Sequence, residues 1–218
     1  MIQFDDIPPQ SSEATEPMPV FEPYHRFWYS EGFTVVPPPV ASYRPSSGNL
    51  MLQYTPSSIS NTSRPESYPD MGDIGVGPQM YSSCFQFNFT GVNLGCESKE
   101  APCSFTFTGY RYDHFQTRPE LVATQKVSVP ICTKDTGCAL TPVTLSNFNG
   151  LTSFTITAGV NGKATVWWAD DFTFGWSQND CDSGACRSRV RNVVKEQGWA
   201  TAVRRAGSKL MGLIRHRG

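Results

Sequence analysis

The fold predicted for this chain of 218 residues is all-β: an antiparallel, jelly-roll-like β-sandwich with a C-terminal basic helical tail. Three observations predict it. Short segments alternate apolar and polar residues, most cleanly Cys84-Phe85-Gln86-Phe87-Asn88-Phe89-Thr90, so that one face is core and the other solvent. Turn residues recur between such segments, and Asn161-Gly162 is a strong two-residue hairpin signal. The composition is rich in aromatics, Gly, Pro, Ser and Thr and only 17% charged, the balance of a β-protein with many turns.

Taken in order, Phe4-Asp5-Asp6-Ile7 reads as a short first strand, stopped by Pro8-Pro9. A polar acidic loop covers Gln10 to Pro19. Phe21 to Val36 supplies aromatic strand material around a turn at Gly32, and Pro37-Pro38-Pro39 ends it, since proline cannot donate to a ladder. Pro37 to Gly77 is rich in Pro, Ser and Asn and reads as a long surface excursion, with Leu50–Tyr54 as its one strand. The three glycines of Gly72-Asp73-Ile74-Gly75-Val76-Gly77 lack the spacing and the following helix of a phosphate loop.

Ser104–Thr108 repeats the alternation of Phe85–Phe89, and Cys96 with Cys103 is expected to pin a hairpin-like loop between them. Val122–Val129, Pro142–Leu145 and Ser153–Thr157 are further strands. The Asn161-Gly162 turn leads to the aromatic stretch Val166–Trp176, with Asp170-Asp171 in its middle. The two paired acids, at opposite ends of the chain, are read as lying on neighbouring opening and closing strands of one sandwich. The sandwich is assigned to residues 1–183 and the tail to 184–218.

Seven cysteines pair by spacing as Cys96/Cys103, Cys132/Cys138 and Cys181/Cys186, leaving Cys84 odd; the alternative pairs Cys84 with Cys181 and frees Cys186. No zinc spacing is present, so short-loop disulfides in an oxidising compartment are the reading. The acceptor triplets at Asn61 and Asn88 agree with secretion. Met1–Asp5 carries no basic, apolar leader, so the chain is expected to be one domain of a longer secreted protein or to lack its first part. The alternative is an intracellular chain with reduced cysteines. No apolar stretch is long enough to span a membrane as a helix.

From Arg187 onward nine basic residues face one acid, Glu196, whereas the rest of the chain is acidic. Val190, Val193, Val194, Trp199, Val203, Leu210 and Leu213 recur there at helical spacing. Such a tail is read first as a solvated or disordered extension, with contact to an anionic surface or to the acidic body as the alternatives. No reading module for nucleic acid accompanies the charge.

The phrases Phe4-Asp5-Asp6-Ile7-Pro8, Pro23-Tyr24-His25, Pro37-Pro38-Pro39, Leu94-Gly95-Cys96, Leu140-Thr141-Pro142-Val143 and Asp170-Asp171 with Gly175-Trp176-Ser177, in this order, resemble a fungal domain family of unknown function. The resemblance covers about Gln3 to Cys181. It implies a secreted, C-terminal module of Ser/Thr-rich surface proteins, without an assigned activity. The paired-acid ending also resembles jelly-roll carbohydrate-binding modules, in which an acid near each terminus helps hold a structural calcium.

Asp5, Asp6, Asp170 and Asp171 are therefore the candidates for a calcium site, although adjacent strand residues point oppositely and only one of each pair should face it. Trp167, Trp168, Tyr24 and Trp28 are the candidate sugar platform, with one of the two adjacent tryptophans facing outward. His25, His114 and His216 sit in no catalytic motif. The chain is accordingly read as a non-catalytic, secreted or cell-surface module whose partners are cell-wall or surface glycans. The alternatives are a purely structural terminal domain and, last, a glycan-acting enzyme.

Overall fold

Alternation of large apolar and small polar side chains decides which face of each strand is buried. The computed structural model describes residues 1–7, 17–20, 22–37, 42–59, 70–134 and 136–189. Its strands in chain order are β1 (Met18–Pro19), β2 (Trp28–Tyr29), β3 (Phe33–Val36), β4 (Met51–Tyr54), β5 (Gly72–Gly75), β6 (Phe87–Cys96), β7 (Cys103–Asp113), β8 (Arg118–Val129), β9 (Thr141–Thr144), β10 (Ser153–Val160), β11 (Lys163–Ala164) and β12 (Trp167–Trp176). One sheet runs β1-β3-β4-β12-β6-β9 and the other β2-β5-β10-β7-β8, with β11 on β10. The named strand pairs are antiparallel, and the two sheets form the expected sandwich.

Between the sheets lies an aromatic core. Phe89 meets Phe154 at 4.3 Å between ring centroids and Phe174 at 4.9 Å, and Phe33 and Phe105 set their rings edge-on to Trp167. Offset and edge-on pairs of this kind add to what burial of the rings already contributes. The Asn161-Gly162 hairpin forms as the sequence predicts, with both residues at positive φ as a type I′ turn requires. After it the chain leaves the second sheet and enters the first as β12.

Several local readings are corrected. Phe4–Ile7 is a turn; only Ile2 bridges β12, donating its N–H to the Phe172 carbonyl at 2.7 Å. Cys84 and Phe85 lie in a 3₁₀ turn, and the strand starts at Phe87. The Cys96–Cys103 disulfide closes no hairpin. β6 pairs with β12 and β9 while β7 pairs with β10 and β8, so the bond ties one sheet to the other.

The described parts of 37–77 are woven into both sheets. β4 sits between β3 and β12 with Met51, Leu52 and Tyr54 fully buried, and β5 joins β2 to β10. Their small and polar neighbours hid this, because glycines at 72 and 75 make room for other side chains. A Cβ on Gly72 would meet the Phe33 ring at 2.5 Å.

Trp167 and Trp168 face opposite sides of β12, but both are buried, at 0% and 5% exposure. Trp167 enters the core between the sheets. Trp168 packs in a second cluster with Val36, Tyr43, Met51, Cys132, Leu140 and Val166. The Cys132–Cys138 disulfide and the hydrogen bonds Arg44 N–H to Cys138 O (3.0 Å) and Cys138 N–H to Ser42 O (3.2 Å) hold this cover down.

The chain divides into two compact units, Met1–Ser177 and Gln178–Gly218. In the second, residues 181–189 are helical, capped by Asp180, which accepts from the Ser183 N–H at 2.8 Å. On a helix, residues five apart are separated by about 7.5 Å along the axis, beyond the reach of a disulfide. The expected Cys181–Cys186 bond is therefore absent. Cys181 is an exposed free thiol, whereas Cys84 and Cys186 are each disulfide-bonded. The tail helix beyond 189 and Asn61 lie outside the described residues. No described helix is long and apolar enough to cross a membrane.

Because both indoles are buried, Trp167→Ala and Trp168→Ala should each cost about 3–5 kcal/mol, measured by urea unfolding. A change within about 0.5 kcal/mol, the usual result for an exposed side chain, would place that ring on the surface.

Candidate functional site

Asp5 of the first acidic pair and both members of the second, Asp170 and Asp171, grip one turn, residues 46–50. A bulge in β12 at Asp171, whose φ is 53°, shifts the strand's phase by one residue. Trp167 and Ala169 face the core before it, and Phe172 and Phe174 after it. The same bulge overrides the expectation that adjacent acids diverge, since both carboxylates reach Ser47. Asp170 accepts from the amides of Ser46 (2.8 Å), Ser47 (3.1 Å) and Asp171 (2.8 Å), and Asp171 accepts from the Ser47 hydroxyl at 2.6 Å.

Asp5 accepts from the amides of Asn49 (2.5 Å) and Leu50 (3.0 Å) at the other end of the turn. Gly48, with φ +55°, lets the Asp5 carboxyl lie directly against the backbone. Asp6 is turned elsewhere: the Tyr24 hydroxyl donates to it, and His25 Nε2 lies 3.0 Å from its other oxygen. Among the described residues no three His, Cys, Asp or Glu side chains gather to hold a metal ion. Among the described residues Asp5, Asp170 and Asp171 surround the turn while Asp6 faces Tyr24 and His25, and all four accept hydrogen bonds.

Of the candidate sugar platform, Trp167, Trp168 and Tyr24 are buried and offer no face to a ligand. Tyr24 packs on Phe4, and its hydroxyl oxygen lies 2.5 Å from the Gln3 carbonyl. Trp28 is different. It is half-buried on the outer face of the second sheet and lines an open groove of about 390 Å³ with Ser30, Asp73, Met80, Tyr112 and Ser153.

The groove exists because of glycines. Gly75 stands opposite Trp28 and Ser153, and a Cβ there would meet the Ser153 Cβ at 2.7 Å. Gly77, at positive φ, lies against the Trp28 indole; a Cβ would come within 2.6 Å of it. One wall is formed by Tyr112, seated edge-on to Tyr81 at 4.8 Å, and its amide donates to the Thr152 hydroxyl at 2.9 Å.

Asp73 points outward because its neighbour Ile74 is core. The Asp73 N–H donates to the Ser30 hydroxyl at 3.0 Å, while its carboxyl has no hydrogen-bond partner among the described residues. Although the residue keeps surface open to water, the packed surround strips solvation from the carboxyl and pushes its pKa up to about 6. Asp73 was missed in the sequence, where a lone acid between glycines reads as a turn. The signal available was three glycines within six residues around one acid.

Asn88 lies on the outward phase of β6 as expected, and its side-chain oxygen accepts from the Gly150 amide at 3.0 Å and the Ser177 hydroxyl at 2.8 Å.

Burial also pushes the Asp170 pKa up to about 6, against the three amides that favour its charged form. A carboxyl with a folded pKa near 6 and an unfolded value of 3.8 binds more protons when folded between those values. Stability therefore falls as pH rises through that window, by on the order of 2 kcal/mol for Asp170. Asp73 acts in the same direction. Urea unfolding between pH 4 and pH 6.5 should show the decline, and Asp170→Asn should flatten it; an unchanged slope in the variant would show that Asp170 is not its source.

No curated protein matches the chain. Among solved structures it is similar in shape to a DUF4465 family protein from Bacteroides caccae, with TM-score 0.40 and 10% identity over 69% of this chain and 79% of that one. It is also similar to the CBM22-1 xylan-binding domain of Paenibacillus barcinonensis Xyn10C, with TM-score 0.39 and 14% identity over 71% and 87%. At these scores the likeness carries no ligand across to this chain. A family model described as a domain of unknown function, DUF7371, matches residues 1–187, and the chain belongs to that family.

Proposed function

We propose that this chain is a non-catalytic, extracellular module that binds glycans in the groove at Trp28. The observation that carries the reading is a half-buried indole set beside the Asp73 carboxyl, which has no hydrogen-bond partner among the described residues, and the hydroxyls of Ser30 and Ser153. A flat ring suits the apolar face of a sugar, and carboxylate and hydroxyl groups suit its hydroxyls. Disulfides that tie the two sheets together and clamp the outer cluster support an oxidising compartment.

A purely structural module is the second reading, and the burial of Trp167, Trp168 and Tyr24 favours it. Trp28 separates the two. The full chain on a glycan array should retain at least one oligosaccharide, and Trp28→Ala should weaken that binding by about tenfold or more, about 1.4 kcal/mol per tenfold. Retention undiminished by Trp28→Ala would move the site elsewhere. A folded protein that retains no glycan would leave the structural module.

A further inference from the structure

We propose that the groove selects glycans bearing a free amine, with Trp28 as the stacking surface and Asp73 as the counter-charge. This rests on the glycan reading above and names the class of sugar. Trp28 stands opposite Gly75, and Asp73 lies two residues along the same strand and on the same face. Diagonal neighbours of this kind are about 7–8 Å apart. A pyranose ring lying on the indole thus carries its ring substituents towards the carboxyl.

The charge balance of the groove gives the sign of the preferred substituent. Asp73 is the one charged side chain among the lining residues; no Lys, Arg or His lines it. Its carboxyl accepts no hydrogen bond from the described residues and forms no ion pair with them. The other outward acids described above are already satisfied: Asp170 and Asp5 by loop amides and Asp6 by Tyr24 and His25. Of these acids, Asp73 is the one whose carboxyl has no hydrogen-bond partner among the described residues.

A sugar hydroxyl would give it a neutral hydrogen bond. An ammonium would give a charge-assisted one, roughly twice as strong, in a concave site where salt screens less than on open surface. A uronic acid would be repelled.

The test is calorimetric titration of the full chain with three β-1,4-linked tetramers of one length: glucosamine, N-acetylglucosamine and glucose. The amine tetramer is expected to bind about tenfold or more tighter than either neutral one. Asp73→Asn should erase that preference while leaving the neutral tetramers bound, and Trp28→Ala should weaken all three. Glu97→Gln, an exposed acid outside the groove, controls for the general acidity of the body and should leave the preference intact.

Equal affinities in the unaltered protein, or a preference that survives Asp73→Asn or is lost in Glu97→Gln, overturn the inference while sparing the glycan reading. Failure to bind any tetramer, together with an empty glycan array, overturns both. Circular dichroism of each variant keeps loss of folding apart from loss of binding.

Discussion

β12 carries two indoles in succession, and a strand sends successive side chains to opposite faces. A sandwich normally covers one face of each sheet, so this strand demands a second cover. Val36, Tyr43, Met51, Cys132 and Leu140 provide it. Tyr43 and Val36 lie over Trp168, Gln53 accepts the Trp168 indole N–H at 2.9 Å, and Gly95 gives up its Cβ so that the Tyr43 ring can approach within 2.7 Å of where that atom would be. The Asp170 carboxyl, on the same side as Trp168, receives the Ser46 and Ser47 amides that end this cover. Much of the irregular chain is thus explained by the need to keep water from one ring.

The sandwich was legible because Phe87, Phe89, Phe105, Phe107, Phe154 and Ile156 alternate strictly with polar residues, and a period of two leaves little choice of structure. What alternation does not encode is the partner of each strand. Cys96 and Cys103 are seven residues apart whether they close a hairpin or join two sheets, and only the pairing of β6 with β12 distinguishes the cases. Spacing also misled at Cys181 and Cys186, where a helix replaces the loop that would have let them meet. The segment 37–77 read as an excursion because its strands are short, and their burial comes from neighbours distant in sequence.

The candidate site was half legible. Trp28 stood among the aromatic candidates, but nothing local separates it from Trp167, Trp168 and Tyr24, which are buried by long-range packing. The aspartate pairs drew the eye because they are doubled, and yet doubling here serves a bulge and a turn. Asp73 is single and flanked by glycine, so its interest arises only when β2, β5 and β10 come together and those glycines expose a trough beside an indole. Absence of a side chain is a weak signal in a sequence and a strong one in a sheet.

The neighbouring indoles occupy different surroundings. Trp167 sits in a dry aromatic interior with its ring N–H unpaired among the described residues, while Trp168 donates its own to an amide oxygen in a smaller compartment. The two indoles therefore differ in the polarity of their surroundings though they are one peptide bond apart. The first ring belongs to the space between the sheets and the second to the disulfide-clamped outer layer, so one strand ties the packing of two separate cores together.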